Sequence, residues 1–204
     1  PSIAVLPFVN MSGDTADNYL GEGLAEDIIT ELSTFPTIHV GSRTSSFVYD
    51  KPVKGQQVAA DLGVAYVLEG SVRRAADKVR VTAQLIDART GEHVWANRYD
   101  NEIDNVVALQ QDVASKIYES IGGFEGELQK SAVAAAWQKS APSLEEYDYY
   151  LRGHAIFFRF TKEDNIRARE IWAEGLAQFP ESALLRIKIC FTYEVALQSG
   201  WSED

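Results

Sequence analysis

The stretch Pro1–Asp14, PSIAVLPFVNMSGD, constrains this chain more than any other. Ile3 to Phe8 is a short, nearly all-apolar run, the pattern of a central strand covered on both faces. Pro7 works against a regular strand there, because proline cannot donate to a sheet ladder. Asn10, Ser12, Gly13 and Asp14 follow as a turn-forming cluster, and a long amphipathic helix comes next. Strand, polar loop and helix open an α/β layered domain, and ligands usually sit at such loops.

From Asp17 to Phe35, Leu20, Leu24, Ile28 and Leu32 recur every four positions, which predicts a helix with one buried face. Glu22, Glu26 and Glu31 point outward, and Pro36 ends the helix. Thr37–Gly41 reads as a short strand, followed by a polar loop of Ser42, Arg43, Thr44, Ser45 and Ser46. A weaker helix spans Gly55–Leu62, with Gly63 in the place of a C-cap glycine. The period then changes to two. Val64–Arg74 is a strand broken by Gly70, and Ala75–Asp77 is a hairpin. Lys78–Ala88 follows with Val79, Val81, Ala83 and Leu85 on one face. After a turn at Arg89–Glu92, Val94–Asp100 carries Trp95 and Tyr99 on one side. Val106, Leu109, Val113, Ile117 and Ile121 mark another amphipathic helix before Gly122, Gly123 and Gly126 interrupt the chain.

Residues 127–142 are rich in Ala, Ser and Lys and read as a connecting helix or a linker ending at Pro142. Ser143 with Glu146 predicts a capping box for a helix through about Arg159, and Thr161 with Asp164 another for a helix through about Gln178. A third helix runs over about Ser182–Gln198, and the short connections suggest antiparallel pairs. The expected fold class is therefore an α/β (α+β) three-layer domain with a mixed sheet, βαβα followed by an antiparallel meander and a long helix. An all-α helical-repeat region follows it. The expected division is 1–125, a connector over 126–142, and 143–204.

With 204 residues, 46% of them hydrophobic, the chain can bury a real core. Its formal charge of −11 makes nucleic acid a poor partner. The one cysteine, Cys190, excludes an internal disulfide, and no apolar run is long enough for a membrane span. The start at Pro1 and the end after Trp201-Ser202-Glu203-Asp204 read as a piece of a longer polypeptide.

Four segments carry a family resemblance: IAVLPFVNMSGD, GLAEDIITELS, LGVAYVLEGSVRR and VRVTAQLIDARTGEHVWANRYD. The first 125 or so residues resemble the N-terminal α/β domain of TolB and the related FlgO-type domain. That resemblance implies a module often placed after a class III adenylate/guanylate cyclase domain and before tetratricopeptide repeats in bacterial proteins. It brings no catalytic residues. The helical region resembles tetratricopeptide repeats, whose period is about 34 residues. Ala168, Trp172, Gly175 and Pro180 fall at that repeat's small, aromatic, small and proline positions, and Gly153 fits the small position of the preceding helix. Cys190 and Tyr193 would take the next small and aromatic positions. Gly175 stands where alanine is usual, and Arg152 and Arg186 stand where the repeat has apolar or aromatic residues.

The candidate ligand-binding residues are Asn10, Ser12 and Gly13 in the first loop and Ser42, Arg43 and Ser45 in the second. If the two early strands are parallel neighbours, both loops leave the same sheet edge and could converge on an anion or nucleotide. The alternative is that these residues cap helices and solvate surface loops. Gly21-Glu22-Gly23 lacks dinucleotide-binding spacing. Glu22, Glu26, Asp27 and Glu31 lie on a solvated helix side rather than in a metal cage. His39, His93 and His154 lack ligand spacing and read as structural, and Cys190 as a small buried thiol at a helix contact. Trp95 and Tyr99 read as core. Phe157, Phe158 and Phe160 would seal the two domains together if buried, and would form a partner surface if exposed.

Nothing pairs a nucleophile with a base or calls for a cofactor or metal. The expectation is a non-catalytic regulatory and protein-interaction region of a larger bacterial signalling protein, a class III adenylate or guanylate cyclase acting in the cytoplasm. The helical repeats would present a protein partner with a groove. The α/β domain would sense a small molecule or nucleotide, or pack a second copy as a homodimer. The alternatives are a periplasmic or envelope-associated scaffold of TolB/FlgO type and the effector region of a transcription regulator.

Overall fold

The computed structural model describes residues 1–35, 38–49, 54–102, 106–122, 126–140 and 143–201. The expected roles of Pro36 as helix stop, Thr37 as strand start, Gly123 as interruption and Pro142 as connector end lie outside the described residues. Two compact units are present, Pro1–Ser131 and Ala132–Asp204. The strands are β1 (Ser2–Val5), β2 (Val9–Asn10), β3 (His39–Val40), β4 (Tyr66–Ala75), β5 (Lys78–Asp87) and β6 (Glu92–Glu102). The helices are α1 (Asn18–Ser33), α2 (Arg43–Ser46), α3 (Gly55–Leu62), α4 (Val106–Ile121), α5 (Glu127–Gln138), α6 (Glu146–Phe157), α7 (Lys162–Gln178) and α8 (Ala183–Gln198). The boundary between the units falls inside α5.

The first unit is an α/β domain on a mixed sheet of order β3-β1-β4-β5-β6, with β2 also paired to β4. β1 runs parallel to β3 and to β4, and β4, β5 and β6 form an antiparallel meander. The four-residue spacing in α1 buries Leu20, Leu24, Ile28 and Leu32, and α4 adds Leu109, Val113, Ile117 and Ile121. Both helices pack on one sheet face, against Ile3, Val5, Leu68, Val81 and Leu85. Each such side chain contributes about 1.5–3 kcal/mol of burial free energy. On the opposite face α3 places Val58 and Ala59 against Ala4, Leu6 and Val67. The rest of that face carries Glu69, Ser71, Thr82 and Gln84, which stay half-buried. Trp95 and Tyr99 pack partly buried against the main core.

Three local readings change. β4 is not broken at Gly70. A Cβ there would lie 2.2 Å from the Thr82 carbonyl oxygen and 2.4 Å from the Phe8 ring, so glycine serves close approach within a continuous strand. The Ser42–Ser46 segment is not an open loop but the one-turn helix α2, with Ser42 as its N-cap. The strand expected over Thr37–Gly41 is only His39–Val40 among the described residues. Gly63 does hold the left-handed C-cap of α3, at φ 66°.

In the second unit, Gly153 faces Trp172 while Gly175 faces Tyr149, so α6 and α7 run antiparallel. Asn165 donates to the Thr192 carbonyl (3.1 Å) and Gly175 meets Leu185, which gives α7 and α8 the same relation. Thr161 caps α7 as expected, accepting from the Asp164 N–H at 3.1 Å. The α6 cap differs: Glu145, not Ser143, is the N-cap. Its N–H donates to the Asp148 carboxylate at 2.8 Å, and Lys139 holds the same carboxylate at 2.7 Å. Ser143 instead bonds back to Ser140. Arg152, out of place in the repeat pattern, donates to the Ala136 and Lys139 carbonyls at the end of α5, each at 2.7 Å.

Cys190 is exposed, not buried. The buried stripe of α8 runs through Leu185, Thr192 and Ala196. Cys190 lies five residues past Leu185, about 140° around the helix. The aromatic trio also divides. Phe157 is buried against Trp172 and Phe191, each with ring centroids 5.7 Å away, whereas Phe158 and Phe160 are 46% and 61% exposed.

His154 is buried on α6 between Tyr150 and Phe158. Burial, with help from the Lys188 charge, lowers its pKa from 6.5 to about 4. The unfolded chain therefore binds a proton in a window where the folded chain does not. Stability falls as pH drops from 6.5 towards 4, by up to about 1.4 kcal/mol per pH unit from this group. Urea midpoints measured across that window should fall less steeply in His154→Leu than in the parent chain. Equal slopes would show that the imidazole is not titrating this way.

Candidate functional site

The first unit holds a groove of about 760 Å³, within the range of small-molecule sites. Its floor begins with the break between β1 and β2. Four steps of chain separate Val5 from Val9, while their partners Leu68 and Ser71 are three steps apart on β4. The extra residue makes a bulge at Pro7–Phe8, where proline cannot donate. The Leu6 N–H still reaches the Leu68 carbonyl at 2.9 Å, but the Phe8 N–H turns to the Gly21 carbonyl of α1 at 3.4 Å.

Two glycines let neighbouring elements close on this bulge. A Cβ on Gly21 would lie 2.0 Å from the Phe8 carbonyl oxygen, and the Phe8 ring covers Gly70. Glu22 and Glu69, next in sequence to those glycines, both line the groove. Gln84 and Ser71 continue the polar wall, and Phe47 and Tyr49 add aromatic surface. Among the described residues neither Glu22 nor Glu69 is paired with a basic side chain. Arg43, stacked 4.3 Å over Phe47, is bound to Glu26 at 3.1 Å. The Tyr49 hydroxyl donates to Asp61 at 3.1 Å.

Of the six sequence candidates, Asn10 alone lines this groove. Its amide donates to the Asp14 carbonyl (2.7 Å) and to Asn18 (2.8 Å), and its carbonyl oxygen accepts from the Ser12 N–H. The Ser12 hydroxyl accepts from the Arg74 N–H at 2.8 Å, and Gly13 turns the chain at φ 87°. The Ser42 hydroxyl meets Ser45 through its hydroxyl (2.9 Å) and its N–H (3.2 Å). β1 and β3 are parallel neighbours, yet the first loop follows β2, which pairs with β4. Glu69 and Gln84 are not among the sequence candidates, although Gln84 reads from the sequence as lying on the polar face of its strand. They sit at the polar phase of strands β4 and β5 and pair with each other across them, and that alternation was the available signal.

Among the described residues no group of three or more His, Cys, Asp and Glu side chains could hold a metal ion. No described helix is long and apolar enough to cross a membrane.

The solved structures similar to this chain include the lipoprotein GNA1162 from Neisseria meningitidis, at 20% identity over 58% of this chain and 94% of that one, with a TM-score of 0.44. TolB from Acinetobacter baumannii is similar at 21% identity over 60% of this chain and 29% of that one, with a TM-score of 0.42. A protein of Rhizobium meliloti (strain 1021) named "Putative adenylate cyclase 3" is 40% identical over 172 residues, 84% of this chain. The chain spans 29% of that relative's length. The family model for the second domain of HilA/YgeH-like transcriptional regulators matches residues 1–116, from β1 into α4. The chain thus belongs to the family of HilA/YgeH-like transcriptional regulator second domains.

Proposed function

We propose that this chain is a non-catalytic regulatory and interaction region of a larger bacterial signalling protein whose output domain is a class III nucleotidyl cyclase. The observation that carries the reading is the 40% identity to the cyclase-named relative across 84% of this chain but only 29% of that protein. Most of the relative is therefore something else, and among the described residues of this part no group of three or more His, Cys, Asp and Glu side chains could hold a metal ion. In this reading the protein works in the cytoplasm. Helices α6–α8 are one and a half tetratricopeptide units: Gly153 against Trp172 and Gly175 against Tyr149 are the small-to-aromatic contacts such a helix pair uses. The exposed Phe158 and Phe160 lie on the partner-binding surface.

A second reading, the effector region of a transcription regulator, is favoured by the family description. Both readings put the output elsewhere in the polypeptide. One experiment separates them: the complete gene is expressed with and without residues 1–204, and cyclic nucleotide production is measured. Cyclase output that changes on deletion supports the first reading. A parent protein that makes no cyclic nucleotide but binds DNA supports the second.

A further inference from the structure

We propose that the groove beside the Pro7–Phe8 bulge binds a small organic cation, an ammonium or guanidinium head on an apolar stem. Three observations carry this. The groove is built into the packing of the fold: Gly21 and Gly70 admit α1 and β4 against Phe8, and this brings Glu22 and Glu69 to the same cavity. Among the described residues, those two are its carboxylates, no lysine or arginine lines it, and neither is paired with a basic side chain. The remaining wall suits the rest of such a molecule. Phe47 and Tyr49 offer ring faces for a cation or its methylene stem, and Gln84 and Ser71 offer oxygens to its N–H donors.

An anion is disfavoured by the same geometry. It would enter a cavity with two carboxylates, while Arg43, which stacks on the groove-lining Phe47, is held by Glu26. Ser42 and Ser45 are engaged with each other at the α2 cap. The ligand class stands whichever output domain the parent protein carries, so binding to the isolated chain can succeed or fail independently of the cyclase test.

The test is a heteronuclear NMR titration of the chain with agmatine and, separately, with cadaverine, using adenosine 5′-monophosphate as the anionic control. The expected result is a saturable shift of the Phe8, Glu22, Glu69 and Gln84 amides with an amine. Binding should weaken about tenfold or more in Glu22→Gln/Glu69→Gln. It should also weaken when salt rises to about 0.5 M. Glu22 is exposed and Glu69 half-buried, and glutamine keeps the shape of both side chains, so the double variant should match the parent chain in circular dichroism and melting temperature. A folded chain that shows no saturable shift with either amine to about 20 mM overturns the proposal, since one ion pair in a partly enclosed groove would show by then. Undiminished amine binding in the double variant overturns it as well, and so does tighter binding of the nucleotide at these amides.

Discussion

Gly21→Ala will destabilise the first unit by about 3 kcal/mol or more, the upper end of overpacking costs. The new methyl carbon would sit 2.0 Å from the Phe8 carbonyl oxygen and 3.0 Å from its carbonyl carbon. These are backbone atoms, so no rotamer change relieves the clash. Either α1 moves off the sheet, parting Leu20 and Leu24 from their core, or the Pro7–Phe8 bulge shifts and the β2–β4 pairing moves with it. A melting temperature lower by roughly 10 °C is expected for a domain of this size. Gly23→Ala is the contrast. Its Cβ would meet the end of the flexible Gln110 side chain at 2.4 Å, which can swing away. Equal losses in the two variants, or none in Gly21→Ala, would show that α1 does not sit so close to the bulge.

Trp172→Ala will cost the second unit about 3–5 kcal/mol, the range for removing a buried aromatic side chain. The indole is fully buried, packs on Phe157 at 5.7 Å and donates from Nε1 to the Tyr150 carbonyl at 3.2 Å. Gly153 faces the ring edge, so no side chain stands ready to fill the space. Trp172→Phe keeps most of the packing and loses the hydrogen bond, which predicts a smaller loss of about 1–2 kcal/mol. Urea midpoints followed by far-ultraviolet circular dichroism read both. Equal losses in the two variants would place the stabilisation in the hydrogen bond rather than the packing.

These contacts show what the sequence could and could not display. Periodicity is local, so the α1 stripe, the β5 alternation and the Gly63 cap could be read from neighbouring residues. Gly70 and Gly21 could not. Each is glycine because of a residue far along the chain, and a lone glycine in a strand reads as an interruption. Ser143 looked like the α6 cap because its spacing to Glu146 is right, but Glu145 with Asp148, which Lys139 also holds, makes a better-paired cap two residues on. Cys190 was read by analogy with a repeat position, while the stripe from Leu185 to Ala196 decides which way α8 faces. At the groove, Asn10 was visible as part of a polar loop after a strand. Glu22 and Glu69 meet only through a bulge that tertiary pairing creates.

The parallel pairing of β1 also sets an order of events in folding. Ile3 pairs with Tyr66, whereas β4 and β5 meet through a turn at Ala76 and Asp77. Closing the longer loop costs about 2–3 kcal/mol more in chain entropy. The hairpins can form early and present an edge that β1 joins last. On a ribosome adding about 5–20 residues per second, β1 waits several seconds for β4 to emerge. Through that wait Ile3, Ala4, Val5 and Leu6 are an apolar segment without a sheet, and Pro7 blocks the run from extending into a template for aggregation. The proline that opens the groove in the finished fold thus also protects the nascent chain.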